Sequence, residues 1–164
     1  MTPSVCLFKE IPMKFWIASS LFVLSAQVLA QPAVEVTQPW VRATVAQQSA
    51  TGAFMQLTAR SDMRLVAAQS PVAGVVEIHE MAMDNQVMKM RAVPQLALPA
   101  GQAVELKPGG FHVMLMDLKA PVKVGETVPL TLVLENAAGQ RQNLEVKAPV
   151  RALDGSRAAP AHKH

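Results

Sequence analysis

Residues 75–93, VVEIHEMAMDNQVMKMRAV, contain two short apolar runs, Val75–Met83 and Val87–Val93, separated by a turn signal at Asp84-Asn85. Similar runs recur along the chain between turns rich in Gly, Pro and Asn, and none keeps a helical period for long. Many short strands at near-regular spacing predict an all-β protein, a sandwich or a Greek-key barrel. The other predicted strands are Val34–Val36, Val41–Val45, Ala53–Thr58, Ala103–Leu106, Phe111–Leu118, Val128–Leu134 and Leu144–Ala148.

The N-terminal residues have the pattern of an export signal. Lys14 precedes an apolar run that ends in the small residue Ala30, as in a secretory signal peptide. The run is shorter than the ~20 apolar residues that a membrane span needs. We expect residues 1–30 to be a leader cleaved after Ala30, with an uncleaved signal anchor as the alternative and either Met1 or Met13 as the initiator. The mature protein is then expected in the periplasm, without a stable membrane anchor.

The rest of the chain is predicted to form one β domain, residues 31–150, and a tail, residues 151–164. The tail is rich in Ala, Pro and charged residues and contains His162 and His164, so we expect it to be disordered. Two histidines on such a segment could bind Cu(II). The alternative is a terminus with no role in metal binding.

Composition argues against several classes of protein. The net charge of +3 is small and no basic run occurs, so nucleic-acid binding is not expected. The sequence has no nucleophile-elbow, phosphate-loop or haem-attachment motif, which argues against an enzyme. The single cysteine, Cys6, lies in the predicted leader, so the mature chain has no disulfide and no thiolate ligand.

A His-x-Met pattern occurs on two different predicted strands. His79 and Met81 form one pair, and His112 and Met114 form the other. Side chains two residues apart on a strand point to the same face. Each strand therefore presents an imidazole and a thioether side by side.

The turn signal at Asp84-Asn85 predicts a register for the first hairpin. If these two residues form the loop, His79 lies directly opposite Met90, and Met81 lies opposite Met88. Opposed Cβ atoms are roughly 4.5–5.5 Å apart, so His79 and Met90 could bind one ion from the same sheet face. A β-bulge would shift this register by one residue.

Such a set of donors favours copper. Thioether sulfur is a soft, neutral ligand that prefers Cu(I) to harder ions, and imidazole also binds copper well. A blue-copper electron-transfer centre needs a cysteine thiolate, so copper is expected here as cargo and not as a redox cofactor. The alternative is that methionines fill the core, which we expect for Met55, Met63, Met83 and Met116.

The spacing of His79, Met90, His112 and Met114 resembles the signature H-x10-M-x21-H-x-M of the PCu(A)C family. These are periplasmic copper chaperones associated with the CuA site of cytochrome c oxidase. The likeness covers most of the mature chain, through residues 39–44, 50–55, 76–81, 106–116 and 128–132.

The resemblance implies a cupredoxin-like Greek-key β-barrel in which the four matching residues bind Cu(I). It also implies a chaperone, not an enzyme, that passes copper by ligand exchange to the apo CuA subunit of cytochrome c oxidase or to a thiol-bearing assembly partner. We expect a monomer in which Met81 and Met88 either relay the ion beside the ligands or pack in the core. The alternative function is a non-metal extracytoplasmic β-sandwich that serves as a binding or assembly module.

Overall fold

The computed structural model describes residues 32–152, which form ten β-strands and no helix. The all-β prediction is confirmed, and this part of the chain accordingly has no helical segment that could cross a membrane. The predicted leader, residues 1–30, and the tail histidines, His162 and His164, lie outside the described residues. The strands are β1 (Val34–Arg42), β2 (Ala50–Ala59), β3 (Met63–Gln69), β4 (Ala73–Asp84), β5 (Val87–Ala92), β6 (Leu96–Leu98), β7 (Ala103–Leu106), β8 (Phe111–Leu118), β9 (Thr127–Asn136) and β10 (Arg141–Arg151).

Strand neighbours follow the order β5-β4-β8-β7-β2-β1-β10-β9-β3-β6, and β8 also pairs with β2. The strands from β5 to β1 form a first sheet and those from β10 to β6 form a second. A short parallel pairing of β1 with β10, at Val41 and Val150, joins the two sheets. Strands far apart in sequence, such as β4 and β8, are thus neighbours in space, which is the connectivity of Greek-key folds.

The core lies between the inner faces of the two sheets. Alternate residues of β9 and β8 point into it and are fully buried, namely Leu130, Leu132, Leu134, Val113 and Leu115. Burial of such a side chain stabilises the fold by about 1.5–3 kcal/mol. His112 and Met114 alternate with the inward residues of β8, so they lie on the outer face of the first sheet.

Two strands, β3 and β6, are missed by the sequence pattern. β6 has three residues, Leu96–Leu98, too few to show an alternation. In β3 the register against β9 shifts between Leu65 and Ala67. A bulge of this kind puts apolar residues next to one another and interrupts the period of two on which strand prediction depends.

The first predicted strands are joined differently in the structure. Val34–Val36 and the start of Val41–Val45 belong to the single strand β1. Its pairing with β2 shifts between Thr37 and Trp40, where Gln38 has a left-handed φ of 50°. The gap between the two predicted strands is therefore a bulge inside one strand and not a break between two.

The β4–β5 hairpin turns one residue later than predicted. Its two-residue loop is Asn85-Gln86, with left-handed φ values of 49° and 63°, as in a type I′ turn. Asp84 stays in the strand opposite Val87, and its carboxylate accepts a hydrogen bond from Lys89 Nζ at 2.6 Å.

The predicted cross-strand pairs His79–Met90 and Met81–Met88 are consequently wrong. His79 lies opposite Ala92, and Met81 lies opposite Met90. Each partner has moved by two residues, an even number, so every side chain keeps its sheet face. His79 and Met90 therefore still share a face. They are diagonal neighbours, because Met90 pairs with Met81, two residues after His79 on β4.

Candidate metal centre

Three adjacent strands of the first sheet, β5, β4 and β8, bring the four predicted ligands to one outer face. His79 of β4 lies directly opposite His112 of β8, and the ring centroids are 5.8 Å apart. Met90 lies on the other side of β4, opposite Met81. Met114 follows His112 by two residues on β8 and shares its face.

His112 presents one ring nitrogen to a methionine sulfur. Its Nδ1 donates a hydrogen bond to the Gly110 carbonyl at 3.0 Å, because a carbonyl can only accept. In the neutral ring Nε2 then carries a lone pair, and it lies 3.2 Å from Met90 Sδ. With metal–nitrogen and metal–sulfur bonds of about 2.0 and 2.3 Å, tetrahedral ligand atoms are ~3.5 Å apart. The pair therefore has nearly the spacing of two ligands on one ion.

The ring of His79 is oriented by a carboxylate. Its Nε2 is 2.8 Å from Oε2 of Glu77, and Nε2 must carry the hydrogen because a carboxylate only accepts. The other nitrogen, Nδ1, is buried and has no hydrogen-bond partner among residues 32–152. An unpartnered buried acceptor costs about 1–3 kcal/mol, and a bound cation would satisfy it.

A small cleft of about 240 Å³ gives access to the site. Its lining includes three of the predicted ligands, Met90, His112 and Met114, together with Met81. His79 and His112 are 9% and 6% exposed, whereas Met90 is 49% exposed. The candidate site is thus covered on its imidazole side and open to solvent at Met90.

An aromatic wall supports His112 from the β2 side. The ring of Phe54 packs against Trp40, with centroids 4.5 Å apart, and lies 6.2 Å from the His112 ring. Gly52 makes room for this arrangement, because a Cβ there would lie 2.7 Å from Cζ of Phe54. Trp40, Gly52 and Phe54 had no predicted role in metal binding. Gly52 directly precedes the predicted strand Ala53–Thr58, where a glycine indicates a turn and not a close approach between side chains.

The methionines outside the candidate site lie in the core, on the outer face of β8 and on the β4–β5 hairpin. Met55 and Met63 are buried in the core, as expected. Met116 is half-buried on the outer face of β8, two residues after Met114, so its predicted core position is wrong. Met83 is 66% exposed, so its predicted core position is also wrong; it lies opposite Met88, which is 46% exposed.

The exposure of Met83 and Met88 follows from where the neighbouring strand starts. β8 begins at Phe111, which lies opposite Glu80 of β4, so the end of the β4–β5 hairpin extends past β8. Met88 consequently neither opposes Met81 nor packs in the core.

The donors at this face are unusual for a hard metal ion. Within residues 32–152, no three His, Cys, Asp or Glu side chains cluster as a metal site. Two imidazoles with thioethers form a soft, neutral set of the kind that suits Cu(I) better than Zn(II), Mg²⁺ or Ca²⁺.

Residues 34–150 match the family model described as "Putative lipoprotein LpqE-like". A curated relative, "Putative lipoprotein Lxx21020" from Leifsonia xyli subsp. xyli, is 31% identical over 124 residues. That match covers 75% of this chain and 72% of the relative.

Two solved structures share the fold. The copper-bound PCuAC domain from PmoF2 matches with a TM-score of 0.59 and 26% identity, over 74% of this chain and 94% of that one. CuI-DR1885 from Deinococcus radiodurans matches with a TM-score of 0.55 and 35% identity, over 78% of this chain and 83% of that one. The predicted cupredoxin-like β fold is confirmed by these similarities.

Proposed function

This chain belongs to the PCuAC family, as its LpqE-like sequence and its fold indicate, and on that premise we propose that it is a copper chaperone. It binds one Cu(I) ion through His79, Met90, His112 and Met114. The observation that carries the proposal is the 3.2 Å approach of His112 Nε2 to Met90 Sδ. Both atoms are lone-pair donors in the neutral state, and their separation is close to the ~3.5 Å expected for two ligands of one tetrahedral ion.

Neutral soft donors suit copper outside the cytoplasm. Thiols in an oxidising compartment are drawn into disulfides, whereas imidazole and thioether ligands do not form disulfides. Thioethers stabilise Cu(I) in particular. A site of this kind holds the ion as cargo, because no thiolate adds a charge that would make release difficult.

Transfer proceeds by stepwise ligand exchange that begins at Met90. Met90 is 49% exposed and lies on β5, at the edge of the sheet. His79 and His112 are buried and hold the ion until last. A dithiol acceptor displaces the neutral thioethers because its thiolates add electrostatic stabilisation to the bound cation.

The acceptor is proposed to be the apo CuA subunit of cytochrome c oxidase or a thiol-bearing partner that assembles it. The lipoprotein names of the family and of the relative support a location outside the cytoplasm. Export to the periplasm with cleavage after Ala30, action as a monomer, and Cu(II) binding by His162 and His164 complete the proposal.

Replacement of both imidazoles tests the proposal. The wild-type protein, given Cu(I) under reductant and dialysed against a moderate chelator, is expected to keep an equivalent of copper. His79→Ala combined with His112→Ala should lose it. Met63→Leu is the control, because Met63 is buried in the core and a Leu-for-Met exchange conserves volume.

The dialysis separates two ways in which the proposal can fail. Copper retained by the double variant would remove these histidines as ligands. A wild-type protein that holds no copper would reject the chaperone proposal and favour the non-metal binding or assembly module.

A further inference from the structure

Glu77 contacts a predicted copper ligand but is not itself one of the four. It precedes His79 by two residues on β4, so both side chains lie on the outer face, and it lies opposite Met114 of β8. Its Oε2 accepts the hydrogen bond from His79 Nε2 at 2.8 Å. The Glu77 side chain is 45% exposed and that of His79 is 11% exposed, so the carboxylate reaches a buried ring from the solvent side.

The hydrogen bond determines which nitrogen of His79 can bind an ion. With the hydrogen held on Nε2, the lone pair is on Nδ1, the buried atom that has no partner within residues 32–152. His112 is held in the opposite way, because its Nδ1 donates to the Gly110 carbonyl and its Nε2 is free. The two rings therefore carry their free lone pairs on different nitrogens.

The charge of the carboxylate also matters to the ion. Two imidazoles and two thioethers are neutral, so a bound Cu(I) would keep its positive charge in a partly buried place. A carboxylate hydrogen-bonded to a ligand imidazole makes that imidazole a stronger donor and offsets part of this charge. Replacement of such partners typically weakens metal binding by about 10–100-fold.

We propose that Glu77 is a positioning residue of the copper site, which holds His79 in the Nε2–H tautomer so that Nδ1 binds Cu(I). This inference rests on the proposed function. Glu77 acts through His79 and does not touch the ion.

A first measurement on the apo protein needs no copper. Long-range ¹H–¹⁵N spectra report which ring nitrogen carries the hydrogen. We expect His79 as the Nε2–H tautomer in the wild type and in Glu77→Gln, whose amide oxygen still accepts, and as a mixture in Glu77→Ala. His112 should be Nδ1–H in all three, and a wild-type His79 with its hydrogen on Nδ1 would overturn the inference.

A competition titration with Cu(I) gives the second measurement. Glu77→Ala should bind about 10–100-fold more weakly than the wild type, and Glu77→Gln should lose less because it keeps the hydrogen bond. Glu105→Ala is the matched control. Glu105 lies on β7, its side chain is similarly exposed at 54%, and it forms a salt bridge with Lys107. The control should bind as the wild type does.

Failure of this inference is distinguishable from failure of the proposed function. If Glu77→Ala binds Cu(I) as tightly as the wild type while the double histidine variant loses it, Glu77 has no positioning role and the chaperone proposal stands. If the wild type binds no Cu(I), the proposed function fails together with this role. If Glu105→Ala weakens binding as much as Glu77→Ala does, the effect is one of surface charge and the inference is rejected.

Discussion

Gly52 influences the candidate site through the space that it leaves empty. The ring of Phe54 occupies that space and lies beside His112, whose Nε2 faces Met90. Gly52 on β2 thus leaves room for the ring that packs beside His112 on β8.

Gly52→Ala is expected to weaken Cu(I) binding and to lower the free energy of unfolding by about 1–3 kcal/mol, as overpacking usually does. The new Cβ would lie 2.7 Å from Phe54 Cζ, so the ring must move. Competition titration and urea unfolding measure the two effects. Gly74→Ala on β4 is the control, because its Cβ would lie 3.0 Å from Asp117 Cβ and not against Phe54; an equal loss of Cu(I) affinity in the two variants would show that Phe54 does not position His112.

The arrangement of site residues within one strand could be predicted from the sequence, whereas contacts between residues of different strands could not. His112 and Met114 share a face because they are two apart, which is a local property of any strand. The contact of Phe54 with His112 depends on how β2 pairs with β8 and on the rotation of a ring. Neither the pairing of the two strands nor the rotation of the ring can be predicted from the spacing of residues along the chain.

The β4–β5 hairpin is the element that carries the exposed part of the site. β5 pairs with β4 alone, at the edge of the sheet, so the position of Met90 depends on this one pairing. The predicted turn was one residue early because Asp and Asn both tolerate left-handed φ. Nothing in the local sequence favoured Gln86, which nevertheless has a φ of 63°.

Gln86→Gly is expected to stabilise the hairpin by roughly 1 kcal/mol, because it removes a Cβ that is unfavourable in the left-handed region and creates the preferred Asn-Gly turn. Slower hydrogen exchange of the β5 amides Val87–Ala92 would record the gain. Asn85→Gly is the comparison, and it should gain less because Asn already tolerates this conformation. Faster exchange in Gln86→Gly would contradict the turn geometry.

The β4–β5 hairpin also carries Met81 and Met88, the two methionines expected to relay the ion. The structure orders its methionines as two cross-strand pairs, Met81 with Met90 and then Met83 with Met88 towards the turn. Met81→Leu together with Met88→Leu should leave the Cu(I) affinity unchanged and slow transfer to a dithiol acceptor in stopped-flow measurements. Unchanged transfer rates would show that neither methionine takes part in transfer.

At the scale of the whole molecule, the core and the candidate site lie on opposite faces of the first sheet. Val113 and Leu115 point into the core while His112 and Met114 point away from it. The class of fold was predictable because short strands and turn residues are local signals. The strand order was not, since no local feature indicates that β4 should pair with β8.

This separation predicts that stability and copper binding respond to different substitutions. Leu132→Ala, at a fully buried position of β9 in the second sheet, should lower the free energy of unfolding by about 2–5 kcal/mol. The Cu(I) affinity of the remaining folded protein should not change. Urea unfolding measures the loss of stability, and a Cu(I) titration at low temperature measures the affinity. A weakened affinity in the folded variant would show that the two faces of the sheet are coupled.

The solvent exposure of Met90, at 49%, has a consequence for the protein under oxidative stress. An accessible thioether reacts with peroxide-type oxidants to give methionine sulfoxide, a polar group that ends its use as a soft donor. A bound ion would occupy the sulfur lone pair, so the empty protein is the form at risk. Damage of this kind would disable copper loading before it affects the fold, and a methionine sulfoxide reductase could restore the thioether.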